Sequence, residues 1–114
     1  MHNYDTNNLF AKIIRGELPA SKIYEDDKVL AFYDIYPIAP IHALVIPKGN
    51  YVNFIDFIEN APKELITHFF EKVAYVAKAL DTKENFRILT NTGKESGQTI
   101  FHYHVHILSG AKLK

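Results

Sequence analysis

The residues best equipped for chemistry sit near the C-terminal end of the 114-residue chain, in Gly97-Gln98-Thr99-Ile100-Phe101-His102-Tyr103-His104-Val105-His106-Ile107-Leu108. Three of the six histidines stand there at i, i+2 and i+4, with Phe101, Tyr103, Val105 and Ile107 at the alternate positions. Strict alternation predicts a strand that sends all three imidazoles to one face and the apolar side chains to a core. At ~3.3 Å per residue, neighbouring imidazole stems stand ~6.6 Å apart and the outer pair ~13 Å apart, so the row can line one side of a small cleft. A lone histidine on a strand is usually a satisfied polar residue. Three on one face repel one another if protonated and offer nothing to an ordinary sheet, which points to a function.

Two chemistries fit such a row. One is a metal site, since His-x-His on a strand can hold one zinc. The outer pair is too far apart to share an ion with Zn–N bonds of ~2.0–2.1 Å. The chain has no cysteine to complete the set, and His42 is the only other histidine on an expected strand. The other chemistry is nucleophilic catalysis at phosphorus, in which a neutral imidazole forms a phosphohistidine and splits one hard step into two. That route needs neighbours to orient the nucleophile and donors for phosphate oxygens. The Gly-Gln-Thr turn before the row can supply donors.

The elements that must position the row follow from periodicity and punctuation. Asn7 or Asn8 can cap a short helix running to about Gly16, with Leu9, Phe10, Ile13 and Ile14 on its apolar face and Pro19 blocking continuation. For Phe10 and Ile13, core packing and the lining of a pocket are equally compatible readings. Residues 22–25 and 29–34 read as two strands joined by the Asp26-Asp27-Lys28 turn. Asp34 then reads most simply as a carboxylate that caps the turn after its strand. Pro37 and Pro40 bracket a loop before a nearly all-apolar strand, residues 42–46, which suggests burial on both faces. Residues 51–59 have apolar residues at helical spacing without a clear assignment. Asn60 can cap a long helix from about Pro62 to Leu80, with Leu65, Ile66, Phe69, Phe70, Val73, Val76, Ala77 and Leu80 as its stripe. His68 falls on the opposite side and receives no catalytic role. Residues 86–91 form a strand, and residues 92–97 a polar loop whose glycines let backbone N–H groups approach a phosphate.

Composition narrows the class further. Lys plus Arg and Asp plus Glu both total 13, so no basic excess argues for general nucleic-acid binding. No apolar run approaches the ~18 residues of a membrane span. The N-terminal residues lack the basic-then-apolar pattern of a signal peptide, and zero cysteines suit a cytoplasmic setting. The length and the 47% hydrophobic content fit one domain over residues 1–114 without staples.

The motif His102-Tyr103-His104-Val105-His106-Ile107-Leu108 resembles the defining His-x-His-x-His-x-x signature of the histidine triad superfamily, and the likeness extends through the chain. Leu9-Phe10-Ala11-Lys12-Ile13-Ile14-Arg15-Gly16-Glu17-Leu18-Pro19-Ala20 resembles the N-terminal helix of its nucleotide-binding branch. So do Ala31-Phe32-Tyr33-Asp34-Ile35, Ala39-Pro40-Ile41-His42-Ala43-Leu44-Val45-Ile46-Pro47-Lys48, Asn91-Thr92-Gly93 and Ser96-Gly97-Gln98-Thr99 for the segments that follow.

The resemblance implies an α+β fold, with a five-stranded, mainly antiparallel sheet, one short N-terminal helix and one long helix. It also implies a homodimer built on the long helix and a strand edge. By resemblance His104 attacks an α-phosphorus, His106 donates to a phosphate oxygen, and His102 and His42 orient the row. Thr99, Asn91, Gly97 and Gln98 lie on the phosphate side, and Asp34 holds ribose hydroxyls. Leu9, Phe10, Ile13, Phe32, Ile35 and Leu44 form a base slot for a purine nucleotide. The implied activity is hydrolysis of nucleoside 5′-phosphoramidates through a nucleotidyl-histidine, with no metal or other cofactor. Alternatives are a dinucleoside polyphosphate hydrolase, a nucleotide-binding scaffold and a zinc-binding protein. The chain departs from the pattern at Thr99, where many relatives carry Ser, at the bulky Tyr33 and Tyr36, and in its short tail from Ser109.

Overall fold

The computed structural model describes residues 3–110; the chain beyond Gly110, where the short tail lies, is outside the described residues. In chain order the elements are α1 (Leu9–Ile14), β1 (Lys22–Glu25), β2 (Val29–Tyr33), β3 (Ile41–Pro47), α2 (Phe54–Asn60), α3 (Lys63–Ala79), β4 (Phe86–Leu89) and β5 (Val105–Ser109), with one 3-10 turn at Lys94–Ser96 before β5. The five strands form one antiparallel sheet in the order β1-β2-β3-β5-β4. The expected α+β fold is therefore observed, with three α-helices in place of two.

Alternation along the strands divides the core between the two faces of the sheet. Val29, Ala31, Ala43, Val45, Val105 and Ile107 pack under Phe57 of α2 and Phe69, Val73 and Val76 of α3. Leu30, Phe32, Leu44 and Ile46 pack under Phe10 and Ile13 of α1. β3 is central and buried on both faces, as its unbroken apolar run requires. The stripe of α3 is covered by the chain's own sheet, with Phe69, Val76 and Ala77 at 0% exposure.

Helix ends differ from expectation for local reasons. Asn8 caps α1 by accepting from Ala11 N–H. Asn53 caps α2 by accepting from Asp56 N–H, and Asp56 reaches back to Val52 N–H, a reciprocal arrangement that starts a helix where periodicity left the segment unassigned. Asn60 does not cap α3. It is the last residue of α2, and its side-chain amide donates to Asp56. Pro62 occupies the N-cap of α3 without a side-chain bond, tolerable because the first turn needs no N–H there.

The histidine motif is only partly a strand. β5 starts at Val105, so His102 and His104 precede it. Continuing the β3–β5 register past Val45 and Val105 would set Tyr103 against Pro47. Proline has no N–H to continue a ladder. Tyr103 N–H instead donates to Tyr51 O at 2.7 Å, and the chain turns inward.

On the far edge, Asp26 ties α3 to the β1–β2 turn. Oδ1 accepts from Lys28 and Val29 N–H, and Oδ2 accepts from Tyr24 Oη and His68 Nε2. Burial alone would raise this carboxyl, but the four donors outweigh it and hold the group well below the usual carboxylate range. A depressed acid stabilises above its unfolded pKa of ~3.9, and the stabilisation is lost as pH falls below that. Asp26→Asn should cost ~1–3 kcal/mol at pH 7 and flatten the acid limb below pH ~4. Urea denaturation at pH 7 and pH 3 checks both, and an acid limb as steep as wild type would remove Asp26 as its source.

Candidate functional site

The face of the sheet under α1 carries the site. His106 stands opposite Leu44 in the β3–β5 register, and His42 stands two residues before Leu44 on the same face. Asp34, just past β2, donates its N–H to His42 O at 3.0 Å, which sets its carboxylate beside the His42 ring. These residues border a cavity of about 460 Å³. Its apolar wall includes all six residues of the expected base slot, Leu9, Phe10, Ile13, Phe32, Ile35 and Leu44, and Thr99 borders it too. The sequence reading did not place Pro19, Ala20, Ile38 and Ile100, which also line it; no side-chain chemistry marked them. No lysine or arginine is among the lining residues.

The hydrogen bonds determine which nitrogen of each ring carries the proton. His42 Nδ1 accepts from Ile38 N–H at 3.1 Å, so its proton is on Nε2. Nε2 then donates to His106 Nδ1 at 2.9 Å, with Asp34 Oδ2 at 3.4 Å. His106 in turn keeps its proton on Nε2. His104 Nδ1 lies 2.6 Å from the His102 carbonyl, an acceptor only, so Nδ1 is protonated and Nε2 holds the lone pair. His102 Nε2 donates to Pro47 O at 2.7 Å.

Burial is the largest cause of a lowered pKa at all four rings. His102 and His106 are pushed down to about 4. Asp34 partly offsets this for His42, His104 and His106. A row of neutral imidazoles, each with a defined donor and lone pair, is the state a nitrogen nucleophile needs.

The three imidazoles do not line the cleft as one row. His104 is 7% exposed, and its ring lies 5.0 Å from that of Phe10 and 5.1 Å from that of His106. His102 is fully buried, and it meets His104 through its backbone carbonyl, not through an imidazole edge. Thr90, unremarked in the sequence, donates to His104 O at 2.7 Å and fixes that residue from the β4 side.

The expected phosphate-side loop is near the site, but its groups are used differently. Gln98 is 2% exposed. Its Oε1 accepts from Gly93 N–H, and Nε2 donates to Val52 O and Ile100 O. The side chain therefore pins the loop and does not face the cavity. The Gly97 N–H, expected to meet a phosphate, closes the 3-10 turn on Lys94 O at 3.1 Å. Gly97 has φ +98°, a backbone conformation that suits glycine, although a Cβ there would make only an ordinary contact, 3.9 Å from Asn91 Cγ. Asp34 serves the turn as well as the site, since Oδ1 accepts from Tyr36 N–H at 2.8 Å.

Donor atoms of Asp34, His42 and His106 lie within 4.8 Å of one another, the spacing of a metal cluster. Their protonation does not fit one. A shared ion needs lone pairs on both facing nitrogens, whereas Ile38 N–H keeps a proton on His42 Nε2. The three form a hydrogen-bond relay.

Residues 15–113 match the family model described as the HIT domain. A HIT-like protein of Rickettsia prowazekii is 54% identical over 112 residues, covering 96% of this chain and 92% of its own. The crystal structure of a HIT family hydrolase from Legionella pneumophila superimposes with a TM-score of 0.88 at 36% identity, covering 95% of this chain and 96% of that one. A histidine triad nucleotide-binding protein from Candida albicans gives 0.78 at 32% identity, covering 89% and 73%.

Neutral buried histidines also shape stability. A base whose pKa is depressed on folding binds fewer protons than its unfolded form between the two values, so stability falls as pH drops through that window. For His102 and His106 the window runs from ~6.5 to about 4. His106→Gln should flatten the loss between pH 6.5 and 4. Denaturant titrations across that range measure it, and an unchanged slope would place the loss elsewhere.

Proposed function

We propose that this chain, which belongs to the HIT domain family, hydrolyses nucleoside 5′-phosphoramidates through a covalent nucleotidyl intermediate on His104. The observation that carries this reading is the His104 tautomer: Nδ1–H is committed to the His102 carbonyl, which leaves a lone pair on Nε2 of a neutral ring that packs against Phe10 and His106 of the cavity wall. Nε2 attacks the α-phosphorus as the P–N bond breaks; the nitrogen takes the electron pair and a proton from solvent and leaves as the free amine, and a proton returns to solvent in the water step. His106, protonated on Nε2 by the relay from His42, donates to a phosphate oxygen. Water then displaces the nucleotide from His104. Preorganised neutral donors stabilise the charge that develops on the transferring group. The descriptions of the Legionella protein as a hydrolase and the Candida protein as nucleotide-binding support this class of reaction and ligand.

In this reading the apolar slot takes the base, a purine by resemblance to the nucleotide-binding branch of the family. Asp34 Oδ2 holds ribose hydroxyls, while Asn91 and Thr99 border the phosphate and leaving group. Gly97 and Gln98 act by shaping the loop. The whole chain, 1–114, works as one HIT domain in the cytoplasm.

His104→Ala should lower turnover of an adenosine 5′-phosphoramidate on the order of 10³-fold or more. AMP affinity should stay within a few-fold, because the slot and Asp34 are untouched. Acid-sensitive nucleotidyl adduct should be trapped on wild-type His104 and not on the variant. Near-wild-type turnover by His104→Ala would sink covalent catalysis, and faster cleavage of dinucleoside polyphosphates would move the reaction to P–O–P bonds.

A homodimer completes the proposal. Among the described residues β4 pairs only with β5 and leaves one edge open. Phe86 and Ile88 on β4 are 40% and 48% exposed, and Phe54, Ile55 and Ile58 on α2 are 37–47% exposed. Phe54 and Ile88 border one cleft. A second copy docked there extends the sheet and covers these residues. The surface combines α2 and the β4 edge with Phe70 of α3, which is half-buried and borders the same cleft. Sedimentation at micromolar concentration should give a dimer that Ile88→Asp converts to monomer; a wild-type monomer at high concentration would remove this surface as an interface.

A further inference from the structure

The segment ahead of α1 reaches the buried side of the histidine motif. The Tyr4 ring lies edge-on to that of His102, with centroids 5.6 Å apart, and its hydroxyl is 2.5 Å from His102 Nδ1. The residues are 98 positions apart in sequence, and His102 is 0% exposed. The other nitrogen settles the direction of the bond. Nε2 faces the Pro47 carbonyl at 2.7 Å, and a carbonyl only accepts, so the ring's single proton is on Nε2 and Tyr4 is the donor to Nδ1. Burial pushes His102 down to about 4 and Tyr4 up from its ordinary value, so ring and hydroxyl keep these roles through the neutral range.

Both nitrogens of a buried ring are thus satisfied from opposite sides, by the N-terminal segment and by the end of β3. The same residue's carbonyl accepts the His104 Nδ1 proton at 2.6 Å. Tyr4 precedes the residues 15–113 that match the family model, and nothing in the histidine motif itself supplies this donor.

We propose that Tyr4 is a positioning residue for the nucleotidyl-transfer step, an inference that rests on the proposed function. Its hydroxyl clamps the His102 ring against Pro47 and so holds the His102 carbonyl where it keeps His104 Nδ1 protonated and Nε2 free to attack. Without the hydroxyl, His102 Nδ1 is a buried acceptor with no donor, and the ring can be satisfied only by shifting or by admitting water. Either change moves the carbonyl that sets the His104 tautomer. Tyr4 itself does not border the cavity; Phe10 of the slot meets the His102 ring edge-on, with centroids 6.3 Å apart, and keeps that packing when only the Tyr4 hydroxyl is removed.

Tyr4→Phe keeps the ring edge and removes only the donor. The full chain, labelled with ¹⁵N-histidine, is compared with wild type. The His102 Nδ1 resonance should move toward that of a lone-pair nitrogen without a hydrogen bond. Turnover number on an adenosine 5′-phosphoramidate should fall about tenfold with KM and AMP affinity unchanged, as for an interaction felt in the transition state. Site-specific 3-fluorotyrosine at position 4 retains a donor and should restore both readouts. A Tyr4→Phe protein with wild-type His102 Nδ1 shift and turnover overturns the clamp. So does a fluorotyrosine protein that fails to recover, because ring packing alone would then explain the loss. If wild type cleaves no nucleoside phosphoramidate, the proposed function falls by itself, and the Nδ1 shift in Tyr4→Phe alone decides whether Tyr4 positions His102.

Discussion

A neutral imidazole has one proton for two nitrogens. In this protein a backbone group claims one nitrogen on three of the four histidines at the site: Ile38 N–H on His42, Pro47 O on His102 and His102 O on His104. The fourth, His106, takes its state from His42. Burial enforces the count, because a second proton on any ring would be a poorly solvated charge among its neighbours. The chemistry therefore depends on main-chain geometry that no histidine side chain can set for itself.

That geometry depends on β3. It lies between β2 and β5, is buried on both faces, and carries His42 near one end and Pro47 at the other. One face of the sheet is given to packing against α2 and α3. The other is thinly covered by the six-residue α1 and has room for a cavity. Pro47 does two things at once. Its missing N–H ends the ladder to the histidine segment, and its free carbonyl receives His102. An all-strand motif would have sent His102 to the cavity face. The break turns it inward and makes it a support for His104.

Much of this architecture was legible in the chain. The apolar runs read as strands at 29–34 and 42–46, the asparagine before α1 and the apolar stripe of α3 each have a local cause that the structure keeps. The six residues expected to line a slot do border one cavity, since Phe32 and Leu44 share a sheet face and α1 lays Phe10 and Ile13 against it. The misreadings also have local causes. Asn60 looks like a cap for the helix that follows, but Asp56 on its own helix is a nearer partner. Gln98 and Gly97 look like phosphate ligands by their place in the loop, but their polar groups are used to close that loop.

The sequence by itself determined the family resemblance, the order of the elements apart from α2, and the apolar faces of the regular strands and helices, because periodicity and side-chain type act over a few neighbours. It also singled out the three histidines as candidates for chemistry, since an ordinary sheet has little use for them. Only the tertiary structure decided which nitrogen of each ring is a donor, that His102 faces inward and that Asp34 serves turn and relay together. Some of those outcomes depend on distant partners and others on backbone groups that a turn leaves free: Tyr4 meets His102 across 98 residues and His42 meets His106 across 64, while Ile38 N–H fixes His42 from four residues away. A hydrogen bond is set by angstroms and angles at its two ends, and contacts between distant segments acquire those only when the sheet is formed.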